Sequence, residues 1–253
     1  MKEPTINHYL KVLDKYRAQT LHLSRAAMAK EMGISPRTYS AWYGDKNKKR
    51  KPSSNYIRWI KSFLESRDIL SADRWMDEEG LQLLRSIGFG EGDVVVDFGC
   101  GRGDYTLMLA RVVGERGKVY SVDKDKGVLS ELMGRAYGKG LTNVHGTFVS
   151  RDEQPPTELP LPNASIDAFW LSDVLHDGYF ENDEHKKALV SEVRRTLKKD
   201  GFIAVHPVHM EEKRLKTVIK KAGFHMDREY RRVVLFHGSE FHKASIFRFK
   251  RAR

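Results

Sequence analysis

Gly92-Asp93-Val94-Val95-Val96-Asp97-Phe98-Gly99-Cys100-Gly101-Arg102-Gly103 is the stretch on which the reading of this chain turns. Val94–Val96 is a β-branched run of the kind found in a central parallel strand buried on both faces. Asp97 ends that strand, and glycines then alternate at 99, 101 and 103. A helix is predicted to follow from Tyr105 through Leu107, Leu109 and Ala110. Glycine is required where a backbone must turn tightly and let a ligand approach its N–H groups with no Cβ in the way. A glycine triplet alone is weak. Its weight comes from the strand before it, the helix after it and an acid downstream.

That acid is Asp123. It ends a second predicted strand, Lys118-Val119-Tyr120-Ser121-Val122-Asp123, and lies 20 residues beyond Gly103. A carboxylate there suits hydrogen bonding to the two hydroxyls of a ribose. The glycines alternate, whereas the NAD fingerprint leaves a two-residue gap, which argues against a dinucleotide.

Asp-x-Gly-x-Gly-x-Gly at 97–103 resembles motif I of the class I S-adenosylmethionine-dependent methyltransferases. The resemblance extends over about 180 residues. RWMDEEGLQLLRSIGFGEGDVVVDFGCGRGDYTLMLARVVGERGKVYSVDKD, LPLPNASIDAFWLSDVLHD, EVRRTLKKDGFIAVHPV with Gly201 at a turn, and KAGF at 221–224 are similar to the ubiquinone/menaquinone-biosynthesis-type group of small-molecule enzymes. It implies a Rossmann-like, seven-stranded α/β sheet, closed by an antiparallel hairpin read here as 231–237 and 244–250. It also implies S-adenosylmethionine as cofactor. An acid preceding the glycines suits a cofactor with a cationic sulfonium and amino group.

By that resemblance Asp97 and the backbone around Gly99, Cys100, Gly101 and Gly103 hold the amino-acid end of the cofactor. Asp123 and the adjacent Lys124 belong at the ribose. Asp152, after a third strand at 144–150, is the candidate near the adenine, although the insertion RDEQPPTE sets it farther from Leu159-Pro160 than the family's usual acid. Leu171 and Ser172 end the fourth strand beside the methyl group.

Methyl transfer from a sulfonium is an in-line displacement, so a protein mainly positions the nucleophile and takes its proton. Candidate bases cluster after strands four and five, where open α/β sheets bind ligands: Asp173, His176, His206 and His209, with Asp177 nearby. No Cys/His cluster has zinc spacing and no metal is expected. His176, Asp177, His206 and His209 could nonetheless converge in the fold. The single Cys100 sits where a small packing residue is wanted, so a reactive thiol is the weaker reading.

The residues just after strand four constrain the acceptor. DNA amino-methyltransferases carry Asn/Asp/Ser-Pro-Pro-aromatic there, and this chain has Ser-Asp-Val-Leu-His. Cytosine-C5 enzymes need a Pro-Cys nucleophile, which Cys100 cannot supply. A small-molecule acceptor is therefore expected.

The first seventy residues differ in character. They hold 15 Lys or Arg against 6 Asp or Glu, whereas the remainder holds 30 against 28, within a net charge of +11. Such asymmetry points to a nucleic-acid-facing part beside a neutral one. Apolar spacing predicts an amphipathic helix over 6–19. Ser24 caps a second helix ending at Gly33, and Ser35 caps a third with Pro36 in its first turn. Gly44 closes the third, and a fourth carries Ile57, Ile60, Phe63 and Leu64 on one face. The segment at 66–73 shows no apolar period and reads as a joint, giving domains at 1–68 and 69–253.

The stretch LSRAAMAKEMGISPRTYSAWYGDKNKKRKPSSNYIRWIKSFL (23–64) resembles the helix-turn-helix of phage-repressor-type regulators. Ala29 lets two helices approach, Gly33 makes the turn, and Ile34, Tyr39 and Trp42 fill a small core. The resemblance implies a recognition helix at 35–43 with Arg37, Thr38 and Ser40 facing a groove. Lys46, Lys48, Lys49, Arg50 and Lys51 would grip phosphates.

No stretch has the apolar length to span a bilayer. The amino terminus, MKEPTINHYLKVLDKY, lacks the apolar core of a secretory signal, so a cytoplasmic protein is expected. Three functions stay open: a small-molecule methyltransferase, an RNA methyltransferase using residues 1–68 as a clamp, and a DNA-binding regulator that senses S-adenosylmethionine. A homodimer is left open as well.

Overall fold

A computed structural model describes residues 6–19, 23–43, 51–65, 69–149, 159–236 and 240–252. The chain divides into two compact units, Met1–Trp75 and Met76–Arg253. Lys46, Lys48, Lys49, Arg50 and Asp152 lie outside the described residues, as do Gly44, Ser150 and 66–68.

In the first unit α1 (Ile6–Gln19), α2 (Arg25–Glu31), α3 (Pro36–Ala41) and α4 (Ser54–Glu65) surround a core of Leu13, Met28, Ala29, Tyr39, Ile60 and Leu64. Both short helices start where a serine satisfies an orphan amide. Ser24 Oγ accepts the N–H of Ala27 at 3.1 Å, and Ser35 Oγ accepts that of Thr38 at 3.1 Å. Gly33 takes φ 65° between α2 and α3, and the Ile34 amide returns to the Ala29 carbonyl at 3.0 Å. Arg37, Thr38 and Ser40 on α3 are exposed, as is Lys51 after it. Part of the stretch read as a joint is helical: α5 (Ile69–Asp77) runs through it. Two of its buried side chains, Ala72 and Trp75, lie three residues apart. The second of these lies beyond the segment, so no apolar period showed within it.

The second unit opens with α6 (Glu79–Ile87) and alternates strands with helices: β1 (Val94–Phe98), α7 (Asp104–Val113), β2 (Lys118–Asp123), α8 (Lys126–Gly138), β3 (Val144–Phe148), β4 (Ile166–Ser172), α9 (Asp183–Thr196), β5 (Leu197–His206), α10 (Glu212–Lys221), β6 (Phe224–Phe236) and β7 (Glu240–Arg251). The seven strands form one sheet in the order β3-β2-β1-β4-β5-β7-β6. β1 to β5 are parallel, and β7 is antiparallel to both of its neighbours. Strand order reverses between β1 and β4, which opens a crevice at their carboxyl ends. Register aligns those ends: Phe98 pairs with Val122 on one side and Leu171 on the other, and Ser172 pairs with His206.

Two elements depart from the sequence reading. The closing hairpin is longer than 231–237 and 244–250, because β6 begins directly after Gly223 and pairs from Phe224 against Arg251. Gly201 does not sit at a turn. It lies within β5, where pairing with β4 jumps from Ile166–Leu197 to Ala168–Phe202. A Cβ at Gly201 would stand 2.7 Å from the Asp167 carbonyl oxygen, so glycine here permits close approach of two backbones at a bulge.

Candidate functional site

The loop between β1 and α7 is held from below. The Gly99 and Cys100 amides both donate to the Val122 carbonyl, at 2.8 and 3.0 Å, and the Gly103 amide closes a turn on the Cys100 carbonyl at 2.9 Å. Gly99, Gly101 and Gly103 take φ of 71°, 49° and 77°, a region in which a side chain is strained. Their surroundings differ. A Cβ on Gly99 would meet Val174 Cγ2 at 2.6 Å, and one on Gly103 would run into the side chain of Leu132. A Cβ on Gly101 would meet nothing within 4 Å. Two glycines make room for the protein itself, while the middle one faces open space at the crevice.

Two carboxylates sit near the ends of β1 and β2. Asp97 is 2% exposed and accepts the Thr106 hydroxyl at 2.5 Å, with Ser121 Oγ behind Thr106 at 3.3 Å. Burial pushes the Asp97 carboxyl up to about 7, partly offset by the Thr106 hydrogen bond; nearby Asp123 and Asp104 push the same way as burial. Asp123 accepts the Gly101 amide at 2.8 Å through one oxygen and the Asp125 amide at 3.1 Å through the other. The Asp123 side chain is thus tied to the middle glycine. Cys100 is half-buried, and burial raises its thiol pKa far above the usual range, which fits a packing role.

The opposite wall comes from the ends of β4 and β5. Asp173 takes the left-handed conformation, φ 54°, and its amide donates to the His206 carbonyl at 2.8 Å. This turn presents its carboxylate to the loop after β5. One oxygen accepts the His209 amide at 3.1 Å, and the other lies 2.7 Å from His209 Nδ1. His176 Nδ1 accepts the Gly178 amide at 3.0 Å, and its ring is 5.5 Å from that of His209. Burial lowers the His176 pKa, with Asp173 opposing and His209 reinforcing. Asp173, His176 and His209 therefore come together, each with a ligand-type atom within 4.8 Å of the others.

The other candidates fall elsewhere. His206 is fully buried in β5 with Nδ1 3.1 Å from Ser172 Oγ. Asp177 turns outward to Lys186 at 2.6 Å and Arg214 at 2.7 Å, which hold its carboxyl well below the usual range. Leu171 is buried within β4. Lys124 places its ammonium 4.0 Å over the ring of Tyr179, whose centroid lies 4.7 Å from that of His176 in an edge-type contact. Tyr179 thus connects the Asp123 side of the crevice to the Asp173 side. Sequence reasoning passed over Tyr179, Thr106 and Ser121. The one available signal was Ser121, a hydroxyl inside an apolar strand.

Comparison with known proteins agrees with this geometry. Residues 95–201 match the family described as "Methyltransferase domain". The chain is 25% identical over 142 residues to a probable cobalt-precorrin-6B C(15)-methyltransferase (decarboxylating) of Saccharolobus solfataricus, covering 56% of this chain and 66% of the relative. It is 32% identical over 127 residues to a 2-phytyl-1,4-naphtoquinone methyltransferase of Trichormus variabilis, covering 50% and 51%. The chain thus spans less than two thirds of the length of either. An S-adenosylmethionine-dependent methyltransferase of Aquifex aeolicus superposes with a TM-score of 0.53 at 20% identity, over 74% of this chain and 97% of that one. Residues 95–201 thus match a methyltransferase domain, and the second unit shares the fold of a solved S-adenosylmethionine-dependent methyltransferase.

Proposed function

We propose that the protein transfers a methyl group from S-adenosylmethionine to a small-molecule acceptor. The observation that carries this reading is the open space at Gly101, whose amide is held by Asp123. A buried acid suits the cofactor's ammonium, a glycine without a side chain admits the ligand, and Asp123 would serve the ribose hydroxyls. Asp173, His176 and His209 then stand at the acceptor end, where a proton must be lost. The similarity to naphthoquinone and precorrin enzymes supports a cyclic, conjugated acceptor.

The test has two arms. Calorimetry with S-adenosylhomocysteine should show binding that Asp123→Ala and Gly101→Val each weaken sharply. Transfer of label from S-adenosylmethionine should then be screened against metabolite and RNA pools separately. Unchanged affinity in both variants would overturn the placement of the cofactor.

For the first unit we propose a helix-turn-helix of the phage-repressor type that contacts nucleic acid. Its support is the short turn at Gly33 between α2 and α3, with Arg37, Thr38 and Ser40 exposed on α3. Binding to duplex DNA that weakens steeply with salt is the expected result. Equal indifference to DNA and RNA at low salt would sink it.

A further inference from the structure

The geometry points to a binding site for a divalent first-row transition ion at Asp173, His176 and His209. Nothing in the methyltransferase fold requires these three residues to meet. They are drawn from two loops, those after β4 and β5, and one of them reaches its place through a strained backbone. Asp173 is a non-glycine residue at φ 54°, a conformation that persists when the surroundings over-determine it. Here the Asp173 amide is fixed to the His206 carbonyl, and the carboxylate is aimed at the His209 segment.

The donor set is chemically selective. Two imidazoles and one carboxylate match borderline ions such as Zn²⁺ or Fe²⁺, whereas Mg²⁺ and Ca²⁺ prefer oxygen alone. Three protein ligands leave coordination positions open, the pattern of a catalytic rather than a structural ion. Distances fit a site before loading. The Asp173 oxygen and His209 Nδ1 are 2.7 Å apart, joined by a hydrogen bond. An ion binding there replaces the proton of that bond, as ligands must be deprotonated to bind. His176 completes the set by giving up the Gly178 amide and turning its ring, which faces His209 at 5.5 Å. Access is provided by His209, 59% exposed, while Asp173 at 14% is largely shielded.

The ion's role rests on the methyl-transfer reading, though its binding does not. At the acceptor end of the crevice it acts as a Lewis acid. An acceptor hydroxyl that binds it gives its proton to water. The oxygen then forms a bond to the methyl carbon as the carbon–sulfur bond breaks, and that electron pair stays on sulfur as a neutral thioether. An oxygen acceptor, phenolic or enolic, is the class this assigns.

The full-length protein, stripped with a chelator, should be titrated with Co²⁺ alone and followed by visible absorption. S-adenosylhomocysteine calorimetry should be run on each sample in parallel. We expect one equivalent of Co²⁺, displaced by Zn²⁺, with His176→Gln, His209→Gln and Asp173→Asn each weakening it roughly 10-fold or more. Retained S-adenosylhomocysteine binding in those variants shows that they are folded. No Co²⁺ binding by the parent protein would overturn the site, and so would binding of equal strength in His176→Gln and His209→Gln. Co²⁺ bound as expected in a protein that ignores S-adenosylhomocysteine would uphold the ion site while defeating the cofactor assignment.

Discussion

Thr106 donates its hydroxyl to Asp97 at 2.5 Å inside the protein, and Ser121 backs Thr106 from the neighbouring strand. This hydroxyl relay lets a carboxyl group sit at the end of β1 with 2% of its surface exposed. A buried acid without a cation is held neutral more easily than charged.

The first prediction concerns pH. The Asp97 carboxyl is raised to about 7 in the folded protein by burial, against roughly 3.9 when unfolded. Its contribution to stability is therefore complete below about pH 4 and lost as pH rises through about 7. Loss should be on the order of 4 kcal/mol at most. Asp97→Asn, neutral throughout, should flatten the change of melting temperature over that window. The ammonium of a bound ligand would reverse the preference, so binding S-adenosylhomocysteine near pH 6 should release a proton. Calorimetry in buffers of different ionisation enthalpy measures that release. No proton release in the parent protein would dismiss the pairing of Asp97 with the ammonium.

The second prediction separates two glycines that look alike in sequence. Gly103→Ala places a methyl group into Leu132, at φ 77°. It should cost about 2–4 kcal/mol, combining overpacking with left-handed strain. A Cβ at Gly101 meets no protein atom within 4 Å, so the cost of Gly101→Val to the fold should be mainly strain, about 1–2 kcal/mol. Its damage should fall on S-adenosylhomocysteine affinity instead. Urea denaturation and calorimetry on both variants give the comparison. A Gly101→Val protein that binds normally would show that the ligand does not pass this residue.

The contrast shows what the chain itself makes legible. Gly99, Gly101 and Gly103 can be read because only glycine adopts their backbone without strain, and Asp123 because its distance from them is set by one helix and one strand. Gly201 is less readable, since a glycine between apolar runs marks a turn or a bulge equally well. The helix over Ile69–Asp77 was hidden because the buried Trp75 lies beyond the segment read as a joint. Asp173, His176, His206 and His209 share a region of sequence, yet only three meet. What sorts them is the left-handed turn at Asp173 and the burial of His206, and neither has a local signature. Thr106 and Ser121 read as ordinary helix and strand residues until the two elements pack.

The third prediction addresses how the loop–helix unit is anchored. Asn143, before β3, donates its side-chain amide to the Ala110 carbonyl at 2.9 Å and the Gly114 carbonyl at 2.8 Å. Both acceptors lie at the end of α7, and the Gly114 carbonyl also takes the Gly117 amide at 3.1 Å. Asn143 also offers its own carbonyl to the Val119 amide at 2.9 Å. Asn143→Ala should cost about 1–3 kcal/mol, because the Ala110 carbonyl loses a buried partner and the Gly114 carbonyl one of two. Asn143→Asp should be worse, as a carboxylate cannot donate to either carbonyl. Thermal unfolding decides it, and an Asp variant as stable as the parent would show that the side chain does not donate there.

The last prediction concerns Lys186, which is fully buried although both of its carboxylate partners are exposed. Its ammonium reaches Asp177 at 2.6 Å and Asp183 at 3.3 Å from within the packing of α9. The same carboxylates are held by Arg214, with contacts of 2.7 Å to each. Removing the lysine charge therefore strands no buried carboxylate. By contrast, removing the side chain leaves a cavity. Lys186→Met keeps the unbranched stem and gives up only an ammonium whose desolvation already offsets much of its attraction. It should lie within about 1 kcal/mol of the parent. Lys186→Ala should lose about 2–4 kcal/mol, as for a buried chain of similar length. Urea denaturation of the pair compares volume with charge directly. If methionine proves as costly as alanine, then the ammonium holds the loop from Asp173 to Phe180 in place. Hydrogen exchange at Gly178 and Tyr179 should in that case rise in both variants, whereas packing alone predicts a rise only in Lys186→Ala.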